Sequence, residues 1–233
     1  MQNKKPFKQP SKKYHPKGLE ILYEDWDILV VNKTNGLLTV STETERQKTA
    51  QYLLNEYVRK GNSKSSARVY VVHRLDRDTS GVLVFAKSEK VKRFFQREWT
   101  NFTKIYYAVV CGTLKEKSGK ITSYLVENSA QKMYSVSDPE KGKLAQTLYK
   151  VLKESAKYSL LEVRLLTGRK NQIRVHMADQ GCPVAGDTKY GRQRNSAKRL
   201  CLHATSLSIV HPFSKEPMTF ETEMPAYFNT LMK

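Results

Sequence analysis

Apolar residues in this chain come in short dense runs separated by polar, turn-forming stretches. Ile28-Leu29-Val30-Val31 reads as a buried strand, and Asn35-Gly36 marks the turn after it. From Ala50 to Lys60, Leu53, Leu54, Tyr57 and Val58 fall at helical spacing, with Gly61 as the stop. Asn62 to Arg68 is small and polar and reads as a loop. Two further strand-like runs, Val69 to Val72 and Val82 to Ala86, flank a wholly different segment at 73–81. Ser88 is placed to cap a helix running to Trp99, with Val91, Phe94 and Phe95 as its apolar positions. Ile105 to Cys111 reads as a strand ending at Gly112. Residues 113–145 predict only short, weak strands, broken at Pro139 and Gly142. Tyr158 to Leu166 alternates, with Leu161, Val163 and Leu165 on one face. A short helix is predicted from Asn171 to Gln180, before Gly181, and strands over Leu202–His211 and Met218–Glu223 close the chain. There is no repeat and no regular strand–helix alternation. The pattern predicts an α+β fold with a mixed, largely antiparallel sheet flanked by helices.

The 233 residues and 39% hydrophobic content supply a real core, and no apolar stretch is long enough to span a membrane. Residues 1–18 read as a flexible basic arm without periodicity, and one domain is expected over 19–233 with no linker inside it. The N-terminus has no apolar stretch of secretory type. Three widely spaced cysteines form no disulfide framework, so a reducing, cytoplasmic setting is expected. Monomer is the default expectation, and nothing points to an obligatory protein partner.

Charge narrows the function. The net charge is +19. Six lysines without an acid fall in residues 1–17, and six basic residues without an acid fall in 188–215. A nucleic acid is the leading partner class, because phosphate contacts relieve that self-repulsion. The alternative is a basic surface that only confers solubility.

Two polar segments offer chemistry. His73 to Gly81 packs Arg74, Asp76, Arg77 and Asp78 between two apolar strands. One reading is a solvated loop with local ion pairs. The other is a reactive carboxylate kept ionised beside guanidinium groups. Thr167 to His176 carries Arg169, Lys170 and Arg174 at a strand-to-helix junction, suited to an anion or simply facing water. Nucleotide-binding glycine motifs and paired-cysteine zinc motifs are absent, so no cofactor and no metal is expected. Cys182 with His176 reads more readily as a buried thiol than as a nucleophile. A metal-dependent nuclease using Asp76 and Asp78, and a non-catalytic RNA-binding protein, are the competing classes.

The segment His73-Arg74-Leu75-Asp76-Arg77-Asp78-Thr79-Ser80-Gly81 resembles the HRLDxxTSG signature of the RluA-type pseudouridine synthases. Tyr23 to Lys33 with Gly36-Leu37 resembles the family's first motif, and Lys104-Ile105-Tyr106-Tyr107-Ala108 its KxYxA segment. Gly168 to His176, followed by Gly181, Pro183 and Gly186-Asp187, resembles its third long motif. Leu202-His203-Ala204 and His211-Pro212 fit its C-terminal end. Asn171 stands where many members carry His, and the small N-terminal RNA-binding domain of larger members has no counterpart here.

The resemblance implies an RNA pseudouridine synthase acting on tRNA or rRNA, with the catalytic-domain fold of that family. It implies an isomerisation of uridine without redox cofactor or metal. It assigns the essential catalytic carboxylate to Asp76, the basic partner of that carboxylate to Arg174, and the aromatic against the uracil to Tyr106. Read alone, Tyr106 is a core aromatic in a strand. Extrusion of the target base costs a few kcal/mol, and Arg74, with Leu75 as alternate, is expected to fill the gap. Arg77, Arg169, Gln172 and Ile173 complete the expected RNA-contacting set.

Overall fold

The computed structural model describes residues 11–191 and 197–233. The described chain divides into two compact units within the span expected as one domain. The first comprises residues up to Asn101 together with Ile209–Phe220, and the second Phe102–Ser208 with Glu221–Lys233.

In the first unit, β1 (Leu19–Glu24) pairs antiparallel with β2 (Ile28–Lys33), and β2 pairs antiparallel with β4 (Ser80–Ala86). The run predicted from Val69 to Val72 forms only a two-residue strand, β3 (Tyr70–Val71), against the far end of β4. β2 and β4 are buried along nearly their whole length, which explains their uninterrupted apolar sequences. The helix α1 (Ala50–Arg59) is capped by Thr49, whose Oγ1 accepts from the Tyr52 amide, and buries Ala50 and Leu54. It stops at Lys60, which takes a left-handed conformation, just before Gly61. The helix α2 (Glu89–Glu98) starts at Ser88, whose Oγ accepts from the Val91 amide at 3.2 Å, and buries Val91 and Phe95. Phe94, expected in the core, is only partly buried.

The second unit carries β10 (Leu202–Val210) as far as Ser208, β5 (Thr103–Cys111), β9 (Tyr158–Leu165), β8 (Lys143–Glu154), β6 (Ser118–Glu127) and β7 (Met133–Val136), side by side in that order and antiparallel throughout. The stretch 113–145, predicted as weak, short strands, therefore holds the ten-residue β6, the short β7 and the start of β8. β6 has polar and half-exposed residues on both faces, so no apolar alternation marks it. Two clusters of buried residues stand out in the core of this unit. Val109, Leu160, Cys201, Phe228 and Met232 pack together, with Phe228 supplied by the short helix α4 (Ala226–Leu231). Leu125, Met133, Ala145, Val175 and Tyr190 form the other, beneath α3 (Gln172–Asp179). The remaining strand, β11 (Pro217–Glu221), is short and mostly exposed. No described helix is long and apolar enough to cross a membrane.

The basic arm is described only from residue 11. A single 3-10 turn, Lys12–Tyr14, leads into β1. His15 Nδ1 accepts from the Ile21 amide at 3.2 Å, and Gly18 O accepts from the Thr34 amide at 3.0 Å. Residues 1–10 of the arm, and 192–196 of the second basic window, lie outside the described residues.

Candidate active site

Asp76 sits in the irregular segment between β3 and β4, half-buried, with Arg74 and Arg77 exposed on either side. The backbone under it is fixed by side chains from far away in sequence. Thr39 Oγ1 donates to Leu75 O at 2.8 Å and accepts from the Leu75 amide at 3.2 Å. Lys33 is fully buried, and its ammonium donates to Thr34 O, Leu37 O and Arg77 O at 3.0, 2.8 and 3.1 Å. A buried charge is tolerable only when so surrounded by acceptors. The Gly36 amide donates to the same Arg77 carbonyl at 2.9 Å. His73 Nε2 accepts from the Val84 amide at 3.1 Å, and its ring lies 4.3 Å from that of Trp99. Leu75 is 5% exposed, held inside by these bonds. The segment is thus a braced backbone, with Arg74 and Arg77 exposed and Asp76 half-buried between them.

The junction before α3, in the second unit, is built the other way. Gln172 is buried, and all four of its hydrogen-bonding positions are spent inside the protein. Its Oε1 accepts from Thr167 Oγ1 (2.7 Å) and the Arg169 amide (3.0 Å), and its Nε2 donates to Gln146 O (3.0 Å) and Thr147 Oγ1 (2.9 Å). Thr147 thereby has its own O–H left for His176 Nδ1 at 2.9 Å, and His176 Nε2 turns to Ser123 Oγ at 3.0 Å. Burial pushes His176 down to about 4, so the ring is neutral, with the Asp179 charge a weaker opposing influence. Ile173 is 3% exposed. Arg169 is exposed, and its Nε donates to Leu144 O at 2.9 Å. Asn171 precedes the helix in a left-handed conformation (φ 54), which asparagine tolerates, and its Oδ1 accepts from Tyr190 Oη at 3.1 Å.

Arg174 is gripped by Asp187. Its Nε donates to Oδ2 at 2.7 Å and its Nη2 to Oδ1 at 2.9 Å, a two-pronged pair. The guanidinium also lies 5.1 Å from the centre of the Tyr190 ring. Asp187 is 3% exposed, and its Oδ1 accepts the Lys189 and Tyr190 amides too. Burial alone would raise this carboxyl; the Arg174 hydrogen bonds and charge, with the two amides, outweigh it and hold it below its ordinary value. Gly186 shapes the turn that delivers Asp187. Its φ is +77°, and a Cβ there would meet Arg199 O at 1.9 Å. Sequence reasoning gave Asp187 no role; the signal available was its place in the Gly186-Asp187 pair of the third motif.

Tyr106 lies on β5, opposite Val163 and Ala204, and is 9% exposed. Two residues earlier, Lys104 is buried, and burial, then the Arg164 charge, lowers its pKa. Of the expected residues, Arg74, Leu75, Asp76 and Arg77 belong to the first unit, and Tyr106, Arg169, Gln172, Ile173 and Arg174 to the second. Cys182 and Cys201 are buried, and burial pushes the Cys182 thiol up and the Cys201 thiol to about 12, so neither is poised as a nucleophile.

Among the described residues, Asp25, Asp27 and His211 place donor atoms close enough to share a cation. Their atoms are committed internally. Asp25 Oδ2 accepts from Tyr23 Oη (2.9 Å) and faces His211 Nε2 (3.0 Å), and its Oδ1 accepts the Asp27 and Ile28 amides.

The charged loop at 73–81 in the first unit and the polar helix start at 168–176 in the second are each fixed by a network of hydrogen bonds. Comparison with known proteins gives the class of the chain. The sequence profile of the RNA pseudouridylate synthase family matches residues 27–179. The ribosomal large subunit pseudouridine synthase D of Zymomonas mobilis is 35% identical over 233 residues, covering 92% of this chain and 72% of that protein. The tRNA pseudouridine synthase C of Pectobacterium carotovorum is 34% identical, over 89% of this chain and 60% of its own length. The solved structure of human RNA pseudouridylate synthase domain containing 4 superposes with a TM-score of 0.74 at 24% identity, covering 90% of each chain, and shares the fold. The chain belongs to the RNA pseudouridylate synthase family, which makes it an isomerase.

Proposed function

We propose that this chain converts specific uridines in tRNA or rRNA to pseudouridine, with Asp76 as the essential carboxylate and the target base turned out of its stack. The C1′–N1 bond breaks, the uracil turns within the site, a C1′–C5 bond forms, and the C5 proton leaves while the freed N1 ends with a proton. Product and substrate are isomers, so the reaction consumes no redox equivalent.

The observation that carries the reading is the bracing of 73–81 in a chain of this family. Lys33 and Thr39 fix the backbone at Leu75 and Arg77 from beneath, so the carboxylate between them is held in place while its neighbours remain open to a polyanion. A positioned carboxylate can attack C1′ or take the 2′ proton; both need it ionised. Leu75 is locked inside, so filling the gap in the base stack falls to Arg74. Tyr106 is proposed to lie against the uracil and to receive the C5 proton, and Arg174 to serve as the carboxylate's basic partner. Gln172 and Ile173 support the helix start rather than touching RNA, since both are buried and Gln172 has its bonding spent.

The test is to map pseudouridines by reverse-transcription stops in total RNA from cells with and without the gene. Loss of one or a few stops in tRNA or rRNA, restored by the purified chain, is expected. An unchanged map would overturn the reading.

A further inference from the structure

One groove is used by none of this. It lies wholly in the first unit, between α2 and the turn that follows β10, and has a volume of about 530 Å³. On α2, Lys90, Arg93, Phe94 and Arg97 recur at i, i+3, i+4 and i+7, so they share one face. That face is distinct from the one that buries Val91 and Phe95. Arg93 and Arg97 have side chains 78% and 73% exposed. Opposite them the turn supplies Phe213, 50% exposed, and Lys215.

The turn is rigid. His211 Nδ1 accepts from the Ser214 amide at 3.1 Å, which leaves Nε2–H to donate to Asp25 at 3.0 Å. The His211 amide donates to Glu216 O at 2.9 Å, closing the loop. Cations and rings interleave across the groove. The Lys215 ammonium is 4.3 Å from the Phe94 ring centre, Lys90 is 5.0 Å from that of Phe213, and the Arg97 guanidinium is 5.9 Å from that of Phe94. Glu89 is the one acid lining the groove, against four bases.

We propose that this groove is a second RNA-contacting site, which takes a single-stranded stretch of the substrate with a base on Phe213 and phosphates on Lys90, Arg93, Arg97 and Lys215. The inference rests on the proposed RNA substrate. The charge excess selects a polyanion. The exposed Phe213 ring selects one with flat apolar faces, since stacking on aromatics and phosphate contacts together are what hold single strands. The volume falls among ligand-sized clefts of roughly 300–1,000 Å³. Held there, a flanking strand raises the local concentration of the target uridine without touching the chemistry.

The test uses fluorescein-labelled 12-nucleotide oligoadenylate, which has no uridine to isomerise, on the full chain. Reversing Lys90, Arg93 and Arg97 together to Glu is expected to weaken binding about tenfold or more at low salt, and to shrink the slope of log K against log salt by roughly 0.7 × 3 ≈ 2. The same three-fold reversal at exposed Lys150, Lys153 and Lys157 is the control and should cost much less. Phe213→Leu should weaken binding by about fivefold or more, with Phe213→Trp restoring it, because loss of one stacked base is of that order. With target RNA, the groove variants should raise KM and leave kcat unchanged. A groove reversal no worse than the control, or a Phe213→Leu chain that binds as well as the parent, overturns the proposal. Polyglutamate bound as tightly as oligoadenylate, and equally sensitive to Phe213→Leu, would replace RNA by an acidic peptide as occupant. Should the parent chain make no pseudouridine yet bind oligoadenylate as described, the proposed function falls and the groove stands. The reverse pair of results removes the groove alone.

Discussion

The loop at 73–81 and the helix start at 168–176 are equally rich in polar side chains, yet they spend them in opposite ways. In the loop, polar atoms that fix the backbone come from far away in sequence, from Lys33 and Thr39, while the loop's Arg74 and Arg77 are exposed. At the helix start, the segment's own side chains do the fixing, Gln172 to Thr167 and Thr147, His176 to Ser123, Arg174 to Asp187. The contrast separates a segment held by distant residues, in the first unit, from one that largely holds itself, in the second, and it is in keeping with the role proposed for Asp76.

The largest effect that sharpens this contrast is expected at Asp76 itself. Asp76→Asn keeps shape and removes charge, so turnover should fall by ~10⁴ or more while melting and RNA affinity barely move. Measured kcat on a mapped RNA, beside filter binding of the same RNA, checks it. Next comes Arg174→Lys. Lysine keeps the charge but cannot reproduce the two-pronged contact to the buried Asp187, so turnover should drop by about a hundredfold and stability by ~1–3 kcal/mol. Denaturant unfolding read beside kcat separates the two losses. If stability held while turnover collapsed, the structural half of the pair would be the wrong picture.

On the loop side, Lys33→Met leaves three carbonyls without their shared donor. The expected loss is ~1–3 kcal/mol, with hydrogen exchange quickening at Gly36, whose amide is anchored on Arg77 O. The effect of pH tests the helix side. His176 and His203 are both pushed down to about 4, chiefly by burial. Protons therefore bind the unfolded chain first, at its ordinary value near 6.5. This part of the stability is fully present above pH ~6.5 and is lost as pH falls from there towards 4, by at most about 3 kcal/mol for each ring. His176→Asn should flatten the profile between pH 6.5 and 4; a profile as steep as the parent's would contradict the assignment. Smallest is deletion of residues 2–17. It removes six lysines and the His15 acceptor of the Ile21 amide, so about 1 kcal/mol of stability and roughly 1–3 units of salt slope in RNA binding should go, with kcat kept.

What could be read from the sequence follows the same division. The α2 cap at Ser88 and the stop of α1 before Gly61 were legible because they rest on neighbours in sequence. So were β2 and β4, whose apolar runs stand alone. β6 was not, because a strand with polar residues on both faces shows no apolar alternation. β8 alternates in burial at Ala145, Thr147 and Tyr149, but the small and polar residues at two of these positions hide the pattern. Asp76 stood out as a charged cluster between apolar strands. Lys33, 44 positions from the carbonyl it holds, looked like any strand-end lysine. Gln172 looked like an RNA ligand beside Arg169 and Arg174, and only the fold reveals that its amide is saturated. Phe94 fitted the apolar stripe of α2, but it sits at the stripe's edge, under Lys215.

Tritium release from RNA carrying 5-tritiated uridine asks whether this chain isomerises uridine within intact RNA. Release is expected in step with pseudouridine formed, undiminished by a metal chelator, with the RNA chain uncut and no free uracil, and no release is expected from Asp76→Asn at equal occupancy. Release by that variant at the parent's rate, or cleavage of the RNA in place of release, would contradict the proposed function.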